Sequence, residues 1–305
     1  HKLDEYASEN SIDSVYCTSS AMAEYLFRAD SWARKQRALR RDLIDFMDLD
    51  SDKWSQYADS TTYPLKWIYE RESILLAEYE RKINRFFDTC FFISQAEVDL
   101  FCLKNECAEK PLAIGNGIDY ELFSPALHPP DNKSPVFIFT GVMDYKPNID
   151  SVLWFVDNVW PEIIRKYPES RLIIAGMNPV PSISDLVETR GIEVTGFVDD
   201  ILPYYHESDI FVAPLRIARG IQNKILQAFS CGLPVVSTSM GAEGIDYTDG
   251  KNILIADVPE AFYDAVDSLI QDKVLYQSLK ENALALIRDH YSWEAKLSIL
   301  GRILS

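Results

Sequence analysis

Through the second half of the chain, short uninterrupted apolar runs alternate with longer stretches in which apolar residues recur every three or four positions. The runs Val136–Phe139, Arg171–Ala175, Ile192–Thr195, Asp209–Ala213, Pro234–Ser237 and Asn252–Ala256 are too short for helices. They suit strands buried on both faces of a parallel sheet. Between the first two, Ile149, Val152, Phe155, Val156, Val159, Ile163 and Ile164 predict one amphipathic helix from Asn148 to Lys166, with Asn148 as its N-cap. Six strands separated by crossovers predict a doubly wound α/β domain over residues 136–289. The first half reads in the same way: strand Ser14–Cys17, helix Ser19–Phe27, strands Leu43–Leu49 and Thr89–Ile93, and a helix from Gln95. Three strands fall short of a doubly wound domain, so the domain over residues 1–114 is expected to be N-terminally incomplete or completed by another segment. Turn formers crowd residues 115–135 (Asn116, Gly117, Pro125, Pro129, Pro130, Asp131, Asn132), which predicts an interdomain linker.

Composition narrows the class. The 305 residues are 47% hydrophobic and 25% charged, with 12 Gly and 15 Pro, as in a folded, soluble chain rather than a disordered one. A net charge of -17 opposes broad binding to nucleic acid, and limits membrane contact to a peripheral one at most. The five cysteines are scattered and read as thiols of a reducing compartment. No apolar run approaches the roughly 18 residues of a membrane span, and the N-terminus carries no signal-peptide pattern, so a cytoplasmic location is expected. His1, His128, His206 and His290 show no ligand spacing, and no metal or cofactor is expected. Neither a Walker pattern nor a G-x-S-x-G elbow occurs.

In α/β proteins the chemistry sits in the loops beyond the carboxyl ends of the strands. The loop after Asp209–Ala213 carries Arg216, Arg219, Gly220, Ile221 and Lys224 into a helix start. Cations there oppose the helix macrodipole, and with backbone N–H groups they suit an anion such as a diphosphate; the bland alternative is pairing with nearby acids. After Val136–Phe139, Gly141 lets a phosphate approach backbone, or simply makes a turn. Gly196, Phe197 and Val198 follow a strand and either frame an aromatic base or form an ordinary turn. In the first half, Asp48, Asp50 and Asp52 stand at a strand end. A calcium loop is a poor reading, because Lys53 occupies the position that needs Gly. Asp50 and Asp52 can orient or deprotonate an acceptor hydroxyl, or serve as caps and surface charge.

Taken together, several motifs resemble the GT-B nucleotide-sugar glycosyltransferases of family 4. They are Asn116–Asp119 followed by Phe123; Phe139–Gly141; Ile173–Gly176; Val194–Val198; and Ile225–Val236. Asp50–Trp54, Gly141–Asn148, Ala213–Lys224 and Tyr291–Trp293 are similar to a subgroup of sugar transferases associated with exosortase and exopolysaccharide systems. The resemblance implies two Rossmann-like domains facing a cleft, donor binding by the second, acceptor binding by the first, and a helix over residues 290–305 crossing back to the first. It implies a retaining, hexosyltransferase-like, metal-independent enzyme that moves a sugar from a nucleoside-diphosphate sugar to a carbohydrate or lipid-linked acceptor, peripherally at the inner membrane face. Gly141, Arg219, Gly220, Ile221 and Lys224 would then bind the diphosphate, and Gly196–Val198 the base. The family's paired glutamates fall on Arg219 and Gln227. Gln227 can still bond ribose hydroxyls, while Arg219 suits phosphate. Asp50, Asp52, Arg219 and Lys224 form the candidate catalytic set. The rival expectations are a nucleotide-sugar epimerase on the same fold and a degenerate, non-catalytic nucleotide-sugar-binding protein.

Overall fold

The computed structural model describes residues 2–28, 40–59, 61–105, 111–127, 134–218 and 220–304. Arg219, His128, Cys107 and the stretch Pro129–Asn132 lie outside them. The chain divides into two compact units: residues 1–116 with 296–305, and residues 117–295.

The first unit holds a parallel sheet of β1 (Ser14–Thr18), β2 (Arg41–Asp45), β3 (Thr89–Phe92) and β4 (Leu112–Ala113), in that spatial order. Alternation along the strands sends side chains to opposite faces. Ile44, Cys90 and Phe92 pack with Phe46 and Phe101 on one face, where the Phe46 and Phe92 rings stack at 4.8 Å. Leu43 and Phe91 meet Ile299, Leu300 and Ile303 of the helix Trp293–Leu304 on the other. Each fully buried side chain of this size is worth about 1.5–3 kcal/mol. The strand expected over Leu43–Leu49 stops pairing at Asp45. Met47 takes φ 68°, its N–H bonds to Asp45 Oδ1 at 2.8 Å, and a helix begins at Asp50. The 22-residue helix Leu65–Phe86 has no counterpart in the elements read from the sequence.

The second unit is built on six parallel strands: β5 (Val136–Thr140), β6 (Arg171–Ala175), β7 (Ile192–Gly196), β8 (Ile210–Ala213), β9 (Val235–Ser237) and β10 (Leu254–Ile255). Their order is β10-β9-β8-β5-β6-β7. Both faces are buried: Ile138, Ile173, Phe211 and Val235 on one, Phe137, Phe139, Ile174 and Val236 on the other. The chain runs outward from β5 through β7, then returns to β8 on the opposite side of β5. The loops after β5 and β8 therefore diverge at a topological switch point, where such sheets bind ligands. The helix expected over Asn148–Lys166 is two helices, Lys146–Asn158 and Trp160–Lys166. Pro161 has no N–H to continue the first, and the break falls at Val159. Pro147 occupies the first turn, so Asn148 lies inside the helix and is not its N-cap.

Candidate functional site

At the switch point of the second unit, the loop after β5 is drawn tightly against the helix Asn223–Ser230 that follows β8. Asn148 is 5% exposed; its Nδ2 donates to Val142 O at 2.9 Å and its Oδ1 accepts from Lys224 Nζ at 2.6 Å. The ammonium also lies over the Phe139 ring, 4.4 Å from its centroid. Gly141 is required by closeness: a Cβ there would stand 2.6 Å from Asn148 Nδ2 and 2.9 Å from Lys224 Nζ. Met143 N–H to Met177 O at 2.8 Å ties this loop to the one after β6.

The helix Asn223–Ser230 has no side-chain cap and no acid in its first turn. Lys224 stands there against the macrodipole, and among the described residues no carboxylate lies within ion-pair distance of it. Burial pushes its amine down to about 7, because the desolvated ammonium lacks a counter-charge. Arg216, on the loop before it, follows the bland reading: it forks onto Asp150, with Nη2 to Oδ1 at 2.5 Å and Nε to Oδ2 at 3.0 Å. Gly220 takes φ 66°, the left-handed region that favours glycine. The Ile221 side chain packs onto the core beside Gly244. Ser237 and Thr238 brace the β8 and β9 loops through bonds to Ala213 O and Leu215 O.

One turn beyond Lys224, Gln227 accepts through Oε1 from the Tyr205 hydroxyl at 3.2 Å, and that hydroxyl lies 2.9 Å from Thr140 Oγ1. Tyr205 is fully buried, and burial drives its phenol well above the ordinary range. At the end of β7, Gly196 takes φ 66° and Phe197 is 66% exposed, with Val198 half-buried beside it.

Asp50 and Asp52 belong to the first unit, in the opening turn of the helix Asp50–Asp59. Both Asp52 oxygens are engaged, by Lys104 Nζ and by Gln56 Nε2, each at 2.6 Å. Desolvation raises the Asp50 carboxyl. Two acids that the sequence reading passed over complete this helix start. Glu80, 1% exposed, accepts from Ser51 N–H at 2.9 Å, and Glu97 accepts from Leu49 N–H at 3.1 Å. Burial raises both carboxyls. Nothing in the local sequence marks Glu80, which sits in a charged helical stretch that reads as solvated. Asn148 was marked by its type, although as a cap. Among the described residues, no group of three His, Cys, Asp or Glu could hold a metal ion.

Two open parallel sheets, one with a nucleotide-type strand order and a cation at its switch point, make this an α/β chain of two Rossmann-like domains. Residues 134–272, most of the second unit, match the family model described as Glycosyl transferases group 1. Among curated proteins, the chain is 27% identical over 241 residues to an uncharacterized 44.6 kDa protein in the cps region of Klebsiella pneumoniae, covering 74% of this chain and 58% of that one. It is 28% identical over 212 residues to the UDP-Gal:alpha-D-GlcNAc-diphosphoundecaprenol alpha-1,3-galactosyltransferase of Escherichia coli, covering 60% of this chain and 54% of that one. The chain thus spans a little over half the length of these relatives. Among solved structures, Anabaena HepE in complex with UDP aligns with a TM-score of 0.67 at 18% identity, over 99% of this chain and 80% of that one. Sucrose-phosphate synthase from Thermosynechococcus elongatus aligns at 0.62 and 15%, over 99% and 75%. At these identities the structural likeness is one of fold.

Proposed function

We propose that this chain acts as a retaining glycosyltransferase, moving a hexosyl group from a nucleoside-diphosphate sugar to an acceptor hydroxyl in polysaccharide or glycoconjugate synthesis. The observation that carries this reading is Lys224. It is a cation in the first turn of an uncapped helix, at the switch point of the sheet, with a neutral amide as partner and no carboxylate among the described residues. Such a position suits an anion, and the negative charge that grows on a departing diphosphate is where a fixed cation acts most strongly. The UDP held by Anabaena HepE on a similar fold supports a nucleoside diphosphate as that anion.

In the reaction, the bond between the anomeric carbon and the diphosphate oxygen breaks, and a bond to the acceptor oxygen forms on the same face. The acceptor proton leaves to a base or to the departing phosphate. Lys224, Arg219 and the N–H groups from Gly220 onward would meet the leaving-group charge, which makes the proposed chemistry independent of a metal. Gln227 would bond the ribose, with its Nε2 as the outward donor because Oε1 faces Tyr205. Gly196–Val198 would meet the base. Of the two aspartates assigned to the acceptor, Asp50 is the better placed, since Asp52 is spent on Lys104 and Gln56. The lipid-linked acceptor named for the Escherichia coli relative extends to this chain as part of the proposal. Among the described residues no helix is long and apolar enough to cross a membrane; peripheral contact with the lipid is part of the same proposal.

Calorimetric titration with a panel of nucleoside diphosphates and their sugars, with and without chelator, tests the donor half. Binding of one diphosphate, weakened by Lys224→Ala and indifferent to chelator, supports it; binding by no member of the panel overturns it. Transfer to lipid-linked and free acceptors, with the product anomer read by NMR, tests the acceptor half.

A further inference from the structure

Two cations stand near one another in sequence, yet the helix Lys146–Asn158 treats them in opposite ways. Arg216 receives the Asp150 carboxylate and is neutralised. Lys224 receives, two residues earlier on the same helix, only the Asn148 amide. That amide is itself fixed: it is buried, its Nδ2 is held by Val142 O, and it can sit so close to the β5 loop only because Gly141 has no Cβ. An amide oxygen orients an ammonium without cancelling its charge, whereas a carboxylate does both.

We propose that Asn148 is the positioning residue of this site, a neutral tether that aims the Lys224 amine without placing a counter-charge on it, so that an incoming diphosphate is the anion it pairs with. The proposal rests on the donor-site reading above and adds a residue to it. Among the described residues, the groups facing the ammonium are Phe139 from β5, Gly141 from the loop after it, and Asn148; none of them ionises. Arg216 is paired, and Arg219 lies outside the described residues. With no counter-charge the free site loses its proton near neutrality, and a bound diphosphate restores it.

The consequence is an inverted order of severity. Asn148→Asp, the isosteric change, keeps the tether but cancels the charge. Asn148→Ser loosens the tether but keeps the charge. Titrating the full chain with inorganic pyrophosphate and with UDP, from about pH 6 to about pH 9, should show Asn148→Ser about 10-fold weaker than wild type and Asn148→Asp about 100-fold weaker. Wild-type affinity should fall as the pH rises above about 7, where binding must take up a proton. Asn148→Asp should be weak but flat over that range, because the new carboxylate keeps Lys224 protonated. Affinity and pH profile equal to wild type in Asn148→Asp overturn the proposal, as does an Asp variant that binds as well as the Ser variant. Should the Asp variant not fold, the Ser variant decides alone: unchanged affinity with an unchanged pH profile overturns the tether. If Lys224→Ala binds pyrophosphate and UDP as wild type does, the donor-site reading itself has failed, and the proposal falls with it. The two failures are distinguishable by which variant reports them.

Discussion

Two helix starts, one in each unit, both follow strands of parallel sheets and are furnished in opposite ways. At Asp50–Asp59 the first turn carries Asp50 and Asp52, the N–H groups of Leu49 and Ser51 are taken by Glu97 and Glu80, and Lys104 closes on Asp52. Charge there follows the macrodipole, and the start is satisfied from within. At Asn223–Ser230 there is no cap and no acid, and the first turn holds a cation whose partner is an amide. A start of the first kind has N–H donors met by the protein's own acids. A start of the second kind carries a local cost that an anion relieves, which is why acids in a sequence window are weaker evidence for a site than a cation in the wrong place.

The largest expected effect separates the two starts by function. Lys224→Ala should lower turnover by roughly 100-fold to 1000-fold, the range of about 2.7–4 kcal/mol seen when one fixed group facing a developing negative charge is removed. Its melting temperature should not fall, since the change removes a desolvated amine. Asp52→Asn should leave nucleotide binding as it was. Unchanged turnover in Lys224→Ala removes that residue from the mechanism. The next effect reverses the roles. Glu80→Ala strips the acceptor from a buried N–H and should cost about 1–3 kcal/mol of stability in urea unfolding, with nucleotide affinity unmoved. A stable Glu80→Ala chain that has lost nucleotide binding would show that the two starts are not separable in this way.

How far these features were legible follows from their range. The strands of the second unit and the cationic loop after β8 are local patterns, and the sequence displays them: apolar runs for β5, β6 and β8, and Arg216 to Lys224 in one window. The partners were not legible. Whether Arg216 or Lys224 would meet an acid depends on a helix more than 60 residues earlier in the chain, where Asp150 and Asn148 are two positions apart and only the fold decides which faces which. Asn148 drew notice as a cap because Asn caps helices, but Pro147 in the first turn had already moved the start upstream. Glu80 gave no signal, since burial of an acid amid charged helical residues is set by the packing of neighbouring elements.

A smaller effect sharpens the assignment of Gln227. Tyr205→Phe removes the hydroxyl that turns Oε1 inward and contacts Thr140 Oγ1, with an expected stability loss of about 1 kcal/mol. In the variant the amide is free to rotate, so affinity for a nucleoside diphosphate should change more than affinity for pyrophosphate, which has no ribose. Equal changes in both would detach Gln227 from the ribose.

The smallest effect concerns pH, and it is the one in which the two helix starts pull in opposite directions. Lys224 is depressed to about 7 in the folded chain, against about 10.4 for an unfolded lysine. Between those values the unfolded chain binds the extra proton, so the destabilisation from the buried ammonium is full below about 7 and is relieved as the pH climbs toward about 10.4. Glu80 is raised by burial, so the folded chain keeps a proton that the unfolded chain has lost. Its contribution is harmless below about 4.3 and turns unfavourable as the pH rises through its elevated range. Lys224→Met should therefore flatten the alkaline limb of stability against pH and leave the acid limb alone, and Glu80→Gln should do the reverse. The change for the lysine should be modest, because its residue is intermediate in burial and the water that reaches it offsets part of the desolvation. Urea unfolding of the ligand-free chain across the two limbs checks this. If Lys224→Met left the alkaline slope untouched, the ammonium would not be held in the desolvated position from which its anion-binding role is argued.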